Sequence, residues 1–256
     1  MPDDANAEEH IADLTAKKSH EKGCVTKHQD DYKPGDRCSY RGNGYDEMKS
    51  AHTDLYHIDF TTKKHAARLP YIYKEFKIGS AGGKGLAKNW RYANDPTVDK
   101  KAWWFTNPIN FTEAAFPYVH NYHHILPFTA LQQLSYTELS VLQESEYNLN
   151  GPKNMIILPC LDEYGIAMML PSHPYGHTDY NDNTSTIVNE IKQDVARNTE
   201  GHKLKRTNVK KFKKKLETWE EDQFVVLVDY GRELAEKEDP LKPPPNQVNG
   251  SPVASP

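Results

Sequence analysis

The sequence predicts an α+β, helix-rich fold, and three patterns carry that expectation. Residues 129–145 (TALQQLSYTELSVLQES) place apolar side chains at helical spacing. Residues 154–161 (NMIILPCL) form a short apolar run suited to a buried strand that ends at Pro159. From residue 184 the helical pattern returns through IVNEIKQDVARN. The central unit therefore reads as loop or strand, helix, strand, then helix.

Each segment has its local reason. Residues 1–45 are polar, charged and weakly periodic, and read as a loosely ordered leader or docking segment. Residues 46–238 hold the folded part. Its first stretch, 46–110, carries aromatics between turn-forming residues and reads as short helices and loops. The run GSAGGKG within it lacks the GxxxxGKS/T spacing of a phosphate loop. Ser135-Tyr136-Thr137-Glu138 has the form of a capping box, which would split 129–145 into two helices. Residues 203–215 (KLKRTNVKKFKKK) read as a basic helix, and the amphipathic segment WEEDQFVVLVDYGREL follows it. Residues 239–256 are rich in Pro, Ser and Asn and read as a disordered tail.

Composition bounds the class. A chain of 256 residues with 15 Tyr, 8 Phe and 4 Trp can bury a core. Its 37% apolar content is below the usual globular share, so part of the chain is expected to stay unpacked. The net charge of −4 argues neither for nor against nucleic acid. Three cysteines, Cys24, Cys38 and Cys160, cannot make a fully paired disulfide framework and contain no CxxC knuckle. Cys24 and Cys38 are free to pair in an oxidising compartment; Cys160 reads as a small core residue. The acidic start lacks the apolar stretch of a cleavable signal peptide, and no apolar run approaches the roughly 18 residues that span a bilayer.

The histidines carry the chemistry. His123 and His124 form a doublet, and His173-Pro174-Tyr175-Gly176-His177 places a second pair four residues apart, on one face if helical. Pro174 suits a first helical turn. Neighbours on a strand point to opposite faces, so His123 and His124 cannot both bind one ion in regular geometry. One is suited to ligate while the other acts as a base near neutral pH. Imidazoles of this kind suit a transition metal or a hydrated divalent ion.

The combination HHILP, then N-G-x-x-N before an apolar run ending LP, then HPxxHxxY resembles the AHH subgroup of the HNH, or ββα-metal, endonucleases. The resemblance covers roughly residues 115–185; His120-Asn121-Tyr122 precedes the doublet, with no alanine in the usual place. It implies a small ββα-metal nuclease core embedded in helices. It also implies roles: His123, His173 and His177 as ligands to one divalent ion (Mg, Mn, Ni or Zn), and His124 as general base. Asn154 would orient the His124 imidazole through its amide. His120 reads as structural, with a ligand role as the alternative, and Tyr180 as packing.

The expected reaction is hydrolysis of DNA phosphodiesters with little sequence specificity, DNA being favoured over RNA by the resemblance alone. Lys203, Lys205, Arg206, Lys210, Lys211, Lys213 and Lys214 would form a rail for phosphates. Such domains occur widely as bacterial toxins. The expectation is an antibacterial type VI secretion effector, made in the bacterial cytoplasm and delivered by a leaderless route into a target cell's cytoplasm. It would have a cognate immunity protein and a secretion-apparatus component as partners. Two alternatives stand beside it: a non-catalytic, zinc-stabilised nucleic-acid-binding protein, and a housekeeping or phage nuclease.

Overall fold

The computed structural model describes residues 23–28, 32–56, 105, 110–113, 118–173, 184–200, 203–204 and 209–237. Their order is helix α1 (Tyr40–Ala51), a 3-10 turn (Thr53–Tyr56), strand β1 (His120–His124), and helices α2 (Phe128–Leu131) and α3 (Tyr136–Glu144). A second 3-10 turn (Pro152–Asn154), strand β2 (Met155–Pro159) and helix α4 (Asp162–Met168) follow. Helix α5 (Ser185–Asn198), strands β3 (Thr199–Glu200) and β4 (Lys203–Leu204) and helix α6 (Lys210–Lys237) complete the described chain. Helices predominate around small two-stranded sheets, as an α+β reading requires.

The β1–β2 sheet holds the histidine doublet. Ile125 N donates to Asn154 O at 2.9 Å and Cys160 N to Val119 O at 2.9 Å, so the two strands run antiparallel. The excursion between them forms two helices, and the break between α2 and α3 falls at the capping box. The Glu138 carboxylate accepts from Ser135 N at 2.6 Å, and Ser135 Oγ caps Glu138 N. The run 155–159 is buried at every position, in keeping with its unbroken apolar character.

The chain divides into two compact units. The first comprises Met1–Thr53, Asn121–Leu158 and His173–Leu227. Its core joins Leu126, Leu131, Leu139 and Leu142 to Ile187, Ile191 and Val195 of α5 and to Phe212 and Leu216 of α6. Val25 belongs to this core and Cys24 is equally buried, within the stretch expected to be a loose leader. Cys24 N donates to Tyr147 O and Leu149 N to Cys24 O, so this short segment gains both backbone partners and apolar burial. Helix α1 likewise begins before residue 45: Ser39 Oγ accepts from Gly42 N at 3.0 Å and caps it. Gly44 lets α1 approach the strands, because a Cβ there would lie 2.8 Å from the Tyr122 ring and 2.9 Å from Met155 Cβ.

The second unit comprises Asp54–His120, Pro159–Ser172 and Val228–Pro256. An aromatic cluster forms its described core. Phe111 meets Tyr56 at 5.3 Å, Phe105 at 4.9 Å and Tyr118 at 5.8 Å between ring centroids, and Tyr118 stacks on Tyr164 at 5.0 Å. Helix α4 ends at Met169 in the left-handed region (φ 54°), with its N–H on the Gly165 and Ile166 carbonyls.

The basic segment departs from the expected helix over 203–215. Lys203–Leu204 is a strand paired antiparallel with Thr199–Glu200. The helix starts only at Lys210 and then runs unbroken to Lys237, joining what the sequence suggested were two elements. One apolar face unites them: Phe212 and Leu216 enter the core and Trp219 packs against it, so the periodicity passes straight through the acidic stretch. The expected features at 79–85, 174–183 and 239–256 lie outside the described residues.

Candidate active site

Strand alternation separates the two histidines of the doublet. Both are buried, His123 at 8% and His124 at 7% exposure, but they face different partners. His123 Nδ1 meets His173 Nε2 at 2.9 Å, with the rings edge to face at 4.8 Å. The structure thus brings together residues 50 positions apart in sequence. The pair suits a cation: nitrogens each about 2.0–2.1 Å from an ion lie about 2.9 Å apart when they occupy adjacent octahedral positions. His177, the third expected ligand, and Tyr180 lie outside the described residues.

His124 points instead at an amide and an aromatic ring. Its Nε2 lies 3.4 Å from Asn150 Oδ1, and the Tyr40 ring packs at 4.9 Å between centroids. The orientation of the Asn150 amide follows from its other partner, since Nδ2 donates to Thr26 O at 2.8 Å. Oδ1 is therefore the acceptor that faces His124, which makes Nε2 the protonated nitrogen and leaves the Nδ1 lone pair for a proton. Burial holds the His124 pKa down to about 4; the Asn150 hydrogen bond opposes the depression and Lys27 adds to it. The imidazole is neutral at pH 7, the form a general base needs.

Asn154 does not orient His124. Its Oδ1 accepts from Leu126 N at 2.5 Å, and its Nδ2 donates to Leu126 O at 3.1 Å and Leu149 O at 2.8 Å. The residue is wholly buried and every bond goes to backbone. It closes the loop that leaves β1 onto the turn that enters β2. The amide at the imidazole is that of Asn150, the other asparagine of the N-G-x-x-N run. Spacing could not separate the two, because both precede the apolar strand within one turn.

His120 occupies a structural place. Its Nδ1 donates to Tyr118 O at 2.9 Å, and its ring meets Phe111 edge to face at 5.2 Å. Tyr40 was not visible as a site residue in the sequence. The signal for it was the Ser39 cap, which fixes where α1 begins. Of the expected phosphate rail, Lys210, Lys211 and Lys214 are exposed on the first turns of α6, and Lys213 pairs with Glu217 at 3.8 Å. Lys203 lies in β4, and Lys205 and Arg206 are outside the described residues. Among the described residues no helix is long and apolar enough to cross a membrane.

A short antiparallel sheet thus carries one buried histidine that faces an amide, and beside it a second that meets His173. Residues 109–216 match the family model of AHH, a nuclease family of the HNH/ENDO VII superfamily with conserved AHH. The doublet lies inside that stretch, with Tyr122 where the family's triplet has alanine. Tyr122 fills the space left by Gly44 and lies under the Arg41 guanidinium at 5.3 Å. Comparisons with characterised proteins and with solved structures gave no match. The match supports a nuclease and with it the use of a divalent ion.

Proposed function

We propose that the chain is a metal-dependent endonuclease that hydrolyses DNA phosphodiester bonds with little sequence specificity. The observation that carries this reading is the division of labour on β1. His123 meets His173 at 2.9 Å, while the next residue, His124, is buried, neutral and held through its own ring by Asn150.

The chemistry follows from those positions. His123 and His173 would hold the ion, joined by His177 from the sequence pattern. A bound divalent ion supplies charge neutralisation on a phosphate oxygen and on the departing 3′ oxygen. His124 Nδ1 takes a proton from the attacking water, and Asn150 holds the ring so that this nitrogen keeps its lone pair. Tyr40 restricts the ring from one side. Exposed Lys210, Lys211 and Lys214 would meet phosphates without reading bases, which fits cleavage with little sequence preference.

The proposal extends to an antibacterial toxin delivered into a target cell by an export machine such as type VI secretion. A non-specific DNase would damage the genome of the cell that makes it, so a cognate immunity protein is expected to bind it there. Plasmid cleavage tests the enzymatic core. Purified protein should convert supercoiled DNA to nicked and linear forms with Mg, Mn, Ni or Zn and lose activity with a chelator while its circular dichroism persists. Chelator-induced unfolding with no cleavage under any of the four metals would favour the zinc-stabilised binding protein instead. Expression in a bacterium without the immunity gene should arrest growth and degrade the chromosome; normal growth would remove the toxin role.

A further inference from the structure

A second cluster of metal-ligating side chains lies in the first unit, outside the residues that match the nuclease family. Cys24 Sγ, a His28 ring nitrogen and Cys38 Sγ all lie within 4.8 Å of one another. Cys24 Sγ and His28 Nε2 are 3.1 Å apart. We propose that Cys24, His28 and Cys38 bind a zinc ion that clamps two N-terminal segments together.

The donor set argues for the metal. Two thiolates and an imidazole are soft and borderline ligands, which favour zinc over magnesium or calcium. Tetrahedral zinc takes four donors, and these residues supply three of them. Neither Cys24 nor Cys38 is in a disulfide in this structure.

The backbone holds both ligand segments in place without the ion. Cys24 forms a parallel bridge with Asn148, donating from N to Tyr147 O at 2.8 Å and accepting at O from Leu149 N at 2.7 Å. The Cys38 segment is anchored to the same place: Asn148 Nδ2 donates to Arg37 O at 2.6 Å. Asp36 Oδ1 accepts from Cys38 N at 2.9 Å and fixes the turn. Residues 147–149 thus hold both sulfur-bearing segments, which lowers the ordering cost of binding an ion there.

Asn150 supplies the outer support. Its Nδ2 lies 3.5 Å from Cys24 Sγ, and an amide donor facing sulfur favours the thiolate that a metal requires. The same amide faces His124 through Oδ1. The zinc site and the proposed general base therefore share one side chain, although the zinc site does not depend on the nuclease reading.

Cobalt(II) titration of the full, reduced chain provides the test, because a thiolate–cobalt charge-transfer band in the near ultraviolet reports sulfur ligation directly. The expected result is one equivalent of cobalt with that band and with the intense visible absorption of tetrahedral cobalt, both displaced by one equivalent of zinc. Cys38→Ser and His28→Asn should each weaken binding at least tenfold, whereas His123→Ala should leave the band unchanged because an all-nitrogen site gives none. Absence of the band in reduced wild type would overturn the proposal whatever the variants do. Its survival at wild-type affinity in both C38S and H28N would overturn it as well.

Discussion

Asn150 and Asn154 stand four residues apart in one turn, both fully buried, yet their side chains are spent on different partners. Asn154 holds three backbone groups, so Asn154→Ala leaves the Leu126 N–H and two carbonyls to find other partners in the interior. The loss should cost about 1–3 kcal/mol or somewhat more, as for stranded buried groups. Asn150 faces His124 and Thr26. Asn150→Ala should lower kcat by about 10–100-fold, the usual effect of removing a group that orients an active imidazole, with KM for DNA little changed. Thermal denaturation and steady-state cleavage of the two variants check this. If N154A lost kcat at full stability and N150A only melted earlier, the roles would be reversed.

Among the elements, α6 carries the largest departure from sequence-based expectation and the clearest pH signature. Glu220 is buried at 1% exposure and accepts from the Tyr147 hydroxyl at 2.6 Å. Burial raises its pKa from 4.5 to about 8, against the lowering effect of the Tyr147 hydrogen bond. Between those values the unfolded chain has lost the proton while the folded chain keeps it, so stability falls as pH rises through that window. Glu220→Gln keeps an acceptor for Tyr147 and carries no proton to lose. Its melting temperature should match wild type near pH 4.5 and exceed it increasingly toward pH 8; a gap that does not change with pH would contradict the assignment.

The same helix shows where sequence reading stops. The α3 capping box, the 155–159 strand and the α5 stripe were legible because each is a local pattern of period or cap. The continuity of α6 was hidden, because its charge changes sign between Lys215 and Glu217 while its buried face does not. Cys24 and Val25 were hidden for a different reason: a polar neighbourhood conceals two residues whose partners are more than 100 positions away. The histidine pair was legible by residue type, whereas the amide that faces His124 depended on how one turn folds.

At the scale of the molecule, the first unit gathers the histidine pair, the proposed base and the Cys24–His28–Cys38 cluster. The start of α6 in that unit adds exposed positive charge. Changing Lys210, Lys211 and Lys214 together to Ala should weaken DNA binding on all sequences alike. It should also reduce the slope of log affinity against log salt by about 0.9 for each phosphate no longer neutralised. Fluorescence anisotropy across a salt series measures both, and an unchanged slope would remove these lysines from the interface. None of them touches the histidines in the proposed chemistry, so cleavage at saturating DNA should fall much less than affinity.

Cleavage of supercoiled plasmid by His124→Ala, paired with a metal-binding titration of the same protein, bears most directly on β1 as the seat of catalysis. Removal of a general base should lower the rate by about 10²–10⁴-fold. Affinity for the metal held by the histidine pair should stay near wild type, since His123 and His173 remain, and His123→Ala should instead lose that metal. A His124→Ala protein that cuts DNA at close to the wild-type rate would contradict the assignment of the base and, with it, the division of labour between the two histidines.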